Sequence, residues 1–270
     1  MGQSLWKDFM PLSSQVDWCE NNYEIIPIVA EFWNTISNSI FFIIPPILIY
    51  LFKQYARQVC GLVNLVWSLL IIVGAGSVYF HSTLSLVGQL MDEIAILWVC
   101  LAALGAWLPN KYLPLSLRDD RRKYQLIIAG VAVVSSFLAL IKPEFNHGLL
   151  FMFGVPAISL LVLELKKCNC PRVVHVGTMS AVWWVVAVFC WVTDRFLCHV
   201  THFPYLHSAW HIMVCLASYM ACVCYAYFYA SYEVPEQCPR LRFWPHDRHT
   251  WFGIPYVSLM VTAVKPRKNL

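Results

Sequence analysis

Charge is what this sequence has least of. Asp, Glu, Lys and Arg make up 13% of its 270 residues, about half of the roughly 25% that a soluble domain carries. No soluble chain of this size can hide 59% apolar residues in a single core. The same scarcity of charge excludes disorder and a coiled coil. No basic run is dense enough for nucleic acid, and the net charge is only +4. The chain also lacks an Asn-x-Ser/Thr sequon. The opening MGQSLWKDFMPLSS has no apolar core, which predicts no cleavable signal peptide. Trp6 stands where a myristoylation pattern needs Ser or Thr. There is no internal repeat and no low-complexity segment. With a mean hydropathy of +0.60, what remains is a polytopic membrane protein.

Seven apolar stretches have the length that spans a bilayer as a helix, about 17–25 residues. They are Trp33–Leu51, Gly61–His81, Val87–Leu108, Tyr124–Ile141, Phe145–Leu163, Val173–Trp191 and Pro204–Phe228. None alternates with period 2, so a β-barrel is not expected. The expected fold is an all-α bundle of seven transmembrane helices. A further stretch, Trp251–Val264, is too short and too broken by Gly253 and Pro255 to span, and reads as a surface-lying tail segment. Lys and Arg set the orientation. Lys53 and Arg57, then Lys111, Arg118, Arg121, Arg122 and Lys123, then Lys166, Lys167 and Arg172 fill alternate loops. Arg240, Arg242, Arg248, Lys265, Arg267 and Lys268 share that side, in the tail. Only Lys7, Lys142 and Arg195 fall on the other. The C-terminus is therefore expected in the cytosol and the N-terminus in the lumen or outside. Three parts follow: a lumenal acidic segment over 1–32, a membrane domain over 33–229 and a cytosolic tail over 230–270.

Ionisable residues inside spans are costly and mark function. Four places carry them: His81 with Ser77 one turn before it, Asp92–Glu93, Asp194 just past span six, and His207 with His211. The expected topology brings all four to the same face within about two helical turns. His207 and His211 are spaced i, i+4, which puts both imidazoles on one helical face and is a zinc-chelating spacing. With His81 they make three nitrogen ligands, the catalytic zinc set that leaves a fourth position open. Asp92 then suits a general base or the partner of a histidine, and Ser77 an oxyanion donor. The bland alternative is an interfacial or core histidine, and it is preferred for His147, His175, His199 and His202. Glu93 points about a quarter turn away from Asp92 and reads as structural.

Asp17, Glu20, Asn22 and Glu31 gather oxygen donors beside span one. Such donors suit calcium, but the spacing is not that of an EF-hand. From the residues alone the segment reads as a solvated acidic loop. Eleven cysteines are present, most of them in apolar stretches. Cys19 and Cys198 are the two expected outside the membrane on the lumenal face, where disulfides form; a pair and two free thiols are the alternatives. Cys168 and Cys170 in a cytosolic loop are candidates for palmitoylation.

From about Val16 to about Leu259 the chain resembles the alkaline ceramidases, through VDWCENNY, AEFWNTISN, GSVYFHSTLS, GQLMDEIAILW, WVTDRFLC and FPYLHSAWHI. EVPEQ, RFWP and GIPYVSL resemble the Golgi-type branch, while MDEIAILW is as similar to the skin-type branch. The resemblance implies a seven-helix zinc amidase of the Golgi or endoplasmic reticulum, splitting membrane ceramide into sphingosine and a fatty acid. It implies zinc on His81, His207 and His211, with Ser77 and Asp92 in the active site. It further implies calcium on Asp17, Trp18 through its carbonyl, Glu20, Asn22 and Glu31, and a Cys19–Cys198 disulfide. The competing expectation is a seven-helix lipid receptor of the progestin and adipoquin type, with a similar residue set and little turnover.

Overall fold

The structure is a computed structural model and describes residues 6–260. Among these, seven helical stretches are long and apolar enough to cross a membrane. The first is built from α1 (Phe32–Ser37) and α2 (Ile40–Leu51), and a short α3 (Lys53–Gln58) follows. Then come α4 (Val63–Thr83) and α5 (Leu86–Trp107), a short α6 (Leu115–Arg118), α7 (Arg121–Ile141), α8 (Glu144–Lys167), α9 (Pro171–Thr201) and α10 (Leu206–Glu233). Two of their starts follow ordinary capping chemistry. Asp120 caps α7 by accepting from the Lys123 N–H at 2.9 Å, and Pro171 opens α9 where its missing N–H costs nothing. Val133, Phe137, Phe151 and Val185 are exposed on their helices, as side chains facing lipid should be.

Two compact units emerge. One gathers residues up to Pro45, Leu69–Ile96 and Ser180–Ser218; the other gathers Pro46–Ser68, Leu97–Met179 and the chain from Tyr219. In the first, the acidic N-terminal segment is tied to the turn between α4 and α5. Leu12, Ser14, Ala30 and Glu31 donate their N–H groups to the carbonyls of Thr83, Leu84, Ser82 and His81. Ala30, Phe80 and Leu84 form a small core there, covered by Val16, Trp18 and Tyr23. The segment is therefore no solvated loop.

In the second unit, Glu164 is buried and accepts from Lys111 at 2.8 Å and Tyr232 at 2.5 Å. The guanidinium of Arg121 donates to the carbonyls of Leu108 and Gly105 at the end of α5.

Two further expectations need correction. α9 continues to Thr201, well past Trp191, so Asp194 and Cys198 lie inside it. Nothing between Val192 and Thr201 is Gly or Pro, and the polar groups there have partners: Asp194 accepts from the Cys19 N–H and Arg195 donates to the Asp17 carbonyl. The tail is also not a simple surface segment. β1 (Arg240–Trp244) pairs antiparallel with β2 (Ile254–Ser258), Arg240 opposite Ser258. Leu241 and Phe243 alternate with exposed Arg240 and Arg242, the period of a half-buried strand. Residues 261–264 of the expected segment, and Lys265, Arg267 and Lys268, lie outside the described residues.

α4 and α5 touch backbone to backbone at Gly76. A Cβ there would lie 3.0 Å from the Asp92 nitrogen and the Met91 carbonyl carbon. Gly76→Val should therefore cost about 1–3 kcal/mol through overpacking and lower Tm. Gly130→Ala, where a Cβ meets nothing within 4 Å, should leave Tm unchanged or raise it. Thermal unfolding of both variants checks this.

Candidate metal centre

His81 comes from the last turn of α4, and His207 and His211 from the first turns of α10. All three are buried. One ring nitrogen from each lies within 4.8 Å of the others, and among the described residues this is the group able to hold a metal ion. The i, i+4 spacing on α10 aligns two rings, while the N-terminal segment contacts His81 and His207 and the first span contacts His211.

Each imidazole has a second-layer partner. Glu31 Oε2 lies 2.5 Å from His81 Nδ1. With Glu31 ionised, Nδ1–H is donated to it and Nε2 is left as a bare acceptor; that Nε2 is buried without a hydrogen-bond partner. Ser37 Oγ lies 2.8 Å from His211 Nδ1, with Asn38 Nδ2 at 3.4 Å. His211 Nε2 is left facing Ser77 Oγ at 3.4 Å. The His207 ring stacks on Trp18 with centroids 3.5 Å apart and on Trp210 at 5.0 Å. Its Nδ1 is also buried and unpartnered. Buried polar atoms without partners are rare and costly. Here two of them belong to rings aimed at one point, so the donor set fits a zinc ion.

Ser77 and Asp92 are both buried, and the backbone of Asp92 lies against Gly76, the residue before Ser77 on α4. The groups found on the Nδ1 atoms of His81 and His211 are Glu31 and Ser37. Glu93 accepts from Gln89 Nε2 at 2.8 Å, one turn away on the same helix. His175 lies in the other unit, against Trp251 and the Thr250 carbonyl. His199 and His202 are exposed. The side chain of His147 lies outside the described ones.

The acidic segment curls around the same place. Glu20 is buried, and its two oxygens accept from the N–H groups of Trp33 at 2.6 Å and Asn34 at 2.8 Å, so it caps α1 from a distance. Glu31 Oε1 accepts from the Trp18 N–H at 3.1 Å. Asp17 is exposed, with both oxygens on Asn22 Nδ2 at 3.2 and 3.3 Å. Burial pushes the Glu31 carboxyl up to about 8, against hydrogen bonds from Asn34 and Trp18, and the Asp17 charge adds to the rise. Glu20 is raised by burial too, with the Glu31 charge contributing. Asn22 Oδ1 is buried with no partner. Oxygen donors of this kind are the type that calcium takes. Cys19 and Cys198 are disulfide-bonded, with Cα atoms 5.4 Å apart.

Asn34, Ser37, Asn38, Trp210 and the Glu31–His81 contact were not anticipated. A signal exists: Glu31, Asn34 and Asn38 stand at i, i+3 and i+7, a polar stripe on one face at the start of an apolar span.

The fold and the site define a polytopic membrane protein with a buried three-histidine centre. A family model described as Ceramidase matches residues 10–258. The chain is 44% identical over 257 residues to "Alkaline ceramidase" of Drosophila melanogaster, covering 94% of this chain and 90% of that relative. It is 38% identical over 251 residues to "Alkaline ceramidase 1" of Homo sapiens, covering 92% and 94%. The chain belongs to the ceramidase family.

The disulfide anchors Trp18 and Asp17 to α9. Cys19→Ser, or reduction of the wild type, should cost about 2–5 kcal/mol. A fall in Tm on adding reductant to wild type, absent in Cys19→Ser, checks this.

Proposed function

We propose that the protein hydrolyses the amide of ceramide to sphingosine and a fatty acid. Zinc on His81, His207 and His211 serves the chemistry, and calcium on Asp17, the Trp18 carbonyl, Glu20, Asn22 and Glu31 supports it. The observation that carries the zinc reading is the convergence of three buried imidazoles, two of them with unpartnered nitrogens. Zinc in such a site supplies Lewis acidity, polarising a carbonyl and acidifying water toward neutral pH.

The chain's own groups do the rest. Asp92 takes a proton from the attacking water. The Ser77 hydroxyl donates to the amide oxygen as negative charge develops on it. Protonated Asp92 then delivers its proton to the departing sphingoid amine. Glu31 and Ser37 fix the tautomer and angle of His81 and His211, and Trp18 fixes the angle of His207 by stacking on it. An open groove lined by Trp33, Ile36, Tyr205 and Ile212 has Ser37 and Ser208 at its polar end. Ser37 also touches His211, so this groove suits lateral entry of a lipid chain.

The protein is placed in the Golgi, with the endoplasmic reticulum as the alternative. Its 1–32 segment and active site face the lumen, the catalytic domain covers 33–229, and the 230–270 tail is cytosolic. The Lys and Arg asymmetry supports this orientation. So does the Cys19–Cys198 bond, because a disulfide needs an oxidising compartment.

Purified protein in detergent should turn over ceramide, lose turnover on zinc chelation and regain it with zinc. His211→Ala should abolish hydrolysis; wild-type turnover by that variant would sink the zinc assignment. Glu20→Ala should weaken calcium dependence but also lower Tm, since Glu20 caps α1. Asp17→Ala should weaken calcium dependence with Tm in calcium-free buffer nearly unchanged, since Asp17 is exposed. Calcium titration of activity beside thermal unfolding separates the two effects.

A further inference from the structure

Two cations without counter-ions share a groove at the end of the first span. Lys53 and Arg57 stand at i, i+4 on α3, so they occupy one helical face and repel each other. Both are exposed. Neither has an ion-pair or hydrogen-bond partner among the described residues. Four other cations of the same unit have partners: Lys111 has Glu164, Arg172 has Asp247, and Arg118 and Arg121 have backbone carbonyls.

The groove has a volume of about 470 Å³. Pro46, Ile49 and Tyr50 form its apolar wall, and Lys53, Arg57 and Asn64 its polar end, with no carboxylate in the lining. Its place in the chain fixes its depth. The first span ends at Leu51 and the next begins at Val63. Lys53, Arg57 and Asn64 therefore flank two span ends, at the level of lipid headgroups. Pro46 and Ile49 lie in the last turns of a span, at the level of acyl chains. The groove is amphipathic in the same order as a phospholipid.

We propose that this groove binds the headgroup of an anionic phospholipid. The phosphate sits between Lys53 and Arg57, Asn64 donates from its amide, and the first part of an acyl chain lies along Pro46 and Ile49. Charge selects the ligand. A zwitterionic choline headgroup brings its own cation, which the two side chains repel. A free phosphate leaves the apolar wall unused.

The test uses the full-length protein in detergent and follows Tm while lipid is added. Dioctanoyl phosphatidic acid should raise Tm saturably, an effect that weakens with salt as charge–charge binding does. Dioctanoyl phosphatidylcholine and inorganic phosphate should not raise it. Lys53→Gln with Arg57→Gln should leave the lipid-free Tm unchanged. It should raise the phosphatidic acid concentration for half-effect by at least about ten-fold, the loss expected of charge-assisted hydrogen bonds. Arg122→Gln with Lys123→Gln, another basic pair at a span end, should keep the wild-type response. An equal shift with phosphatidylcholine, a full shift with inorganic phosphate alone, or an undiminished response in the Lys53/Arg57 variant would each overturn the proposal. An equal loss in the Arg122/Lys123 variant would do the same, by reducing the effect to general basicity.

Discussion

At the centre of the structure a carboxylate and an imidazole, both shielded from solvent, meet at 2.5 Å. An apolar environment makes an unpaired charge or an idle polar atom expensive, so each group needs the other. Glu31 has four obligations: His81, the Trp18 N–H, the Asn34 amide and the neighbouring charge of Asp17. The backbone of Glu31 is itself tied to the His81 carbonyl. The position of α4, the start of α1 and the fold of the N-terminal segment all converge on this one side chain. The proposed calcium ligands and the proposed zinc ligands are thus neighbours in a single hydrogen-bonded network.

The membrane architecture was legible because it is one-dimensional. A span is a run of apolar residues, and its ends are marked by charge. The histidines were legible for a related reason: an ionisable group in such a run stands out, and i, i+4 spacing states which face it occupies. Partnership between segments was not legible. Glu31 is an acid next to other acids in sequence, and nothing local says that it turns toward a histidine 50 residues away. Glu20 likewise reads as a solvated charge, yet it caps a helix that begins 12 residues later.

The two corrections have one origin. Polar residues after Trp191 read as the end of a span, and Gly253 and Pro255 made Trp251–Val264 read as a surface-lying segment. In the structure the polar groups of α9 reach partners on the N-terminal segment, and Ile254–Ser258 pairs as a strand with Arg240–Trp244, where buried Leu241 and Phe243 alternate with arginines. Local hydropathy averages over such alternation, whereas the backbone does not.

The cross-link between Cys19 and Cys198 also has a consequence for the order of events during synthesis. Its two ends are separated by 179 residues. At about 5–20 residues per second the second thiol follows the first by roughly 10–40 s. For that interval the N-terminal segment has no covalent hold, and Trp18 has no His207 to stack on. His81 has already been made, while His207 and His211 have yet to be translated. The three-histidine group is completed only when the last span arrives, so the proposed chemistry has to wait until the fold is nearly finished.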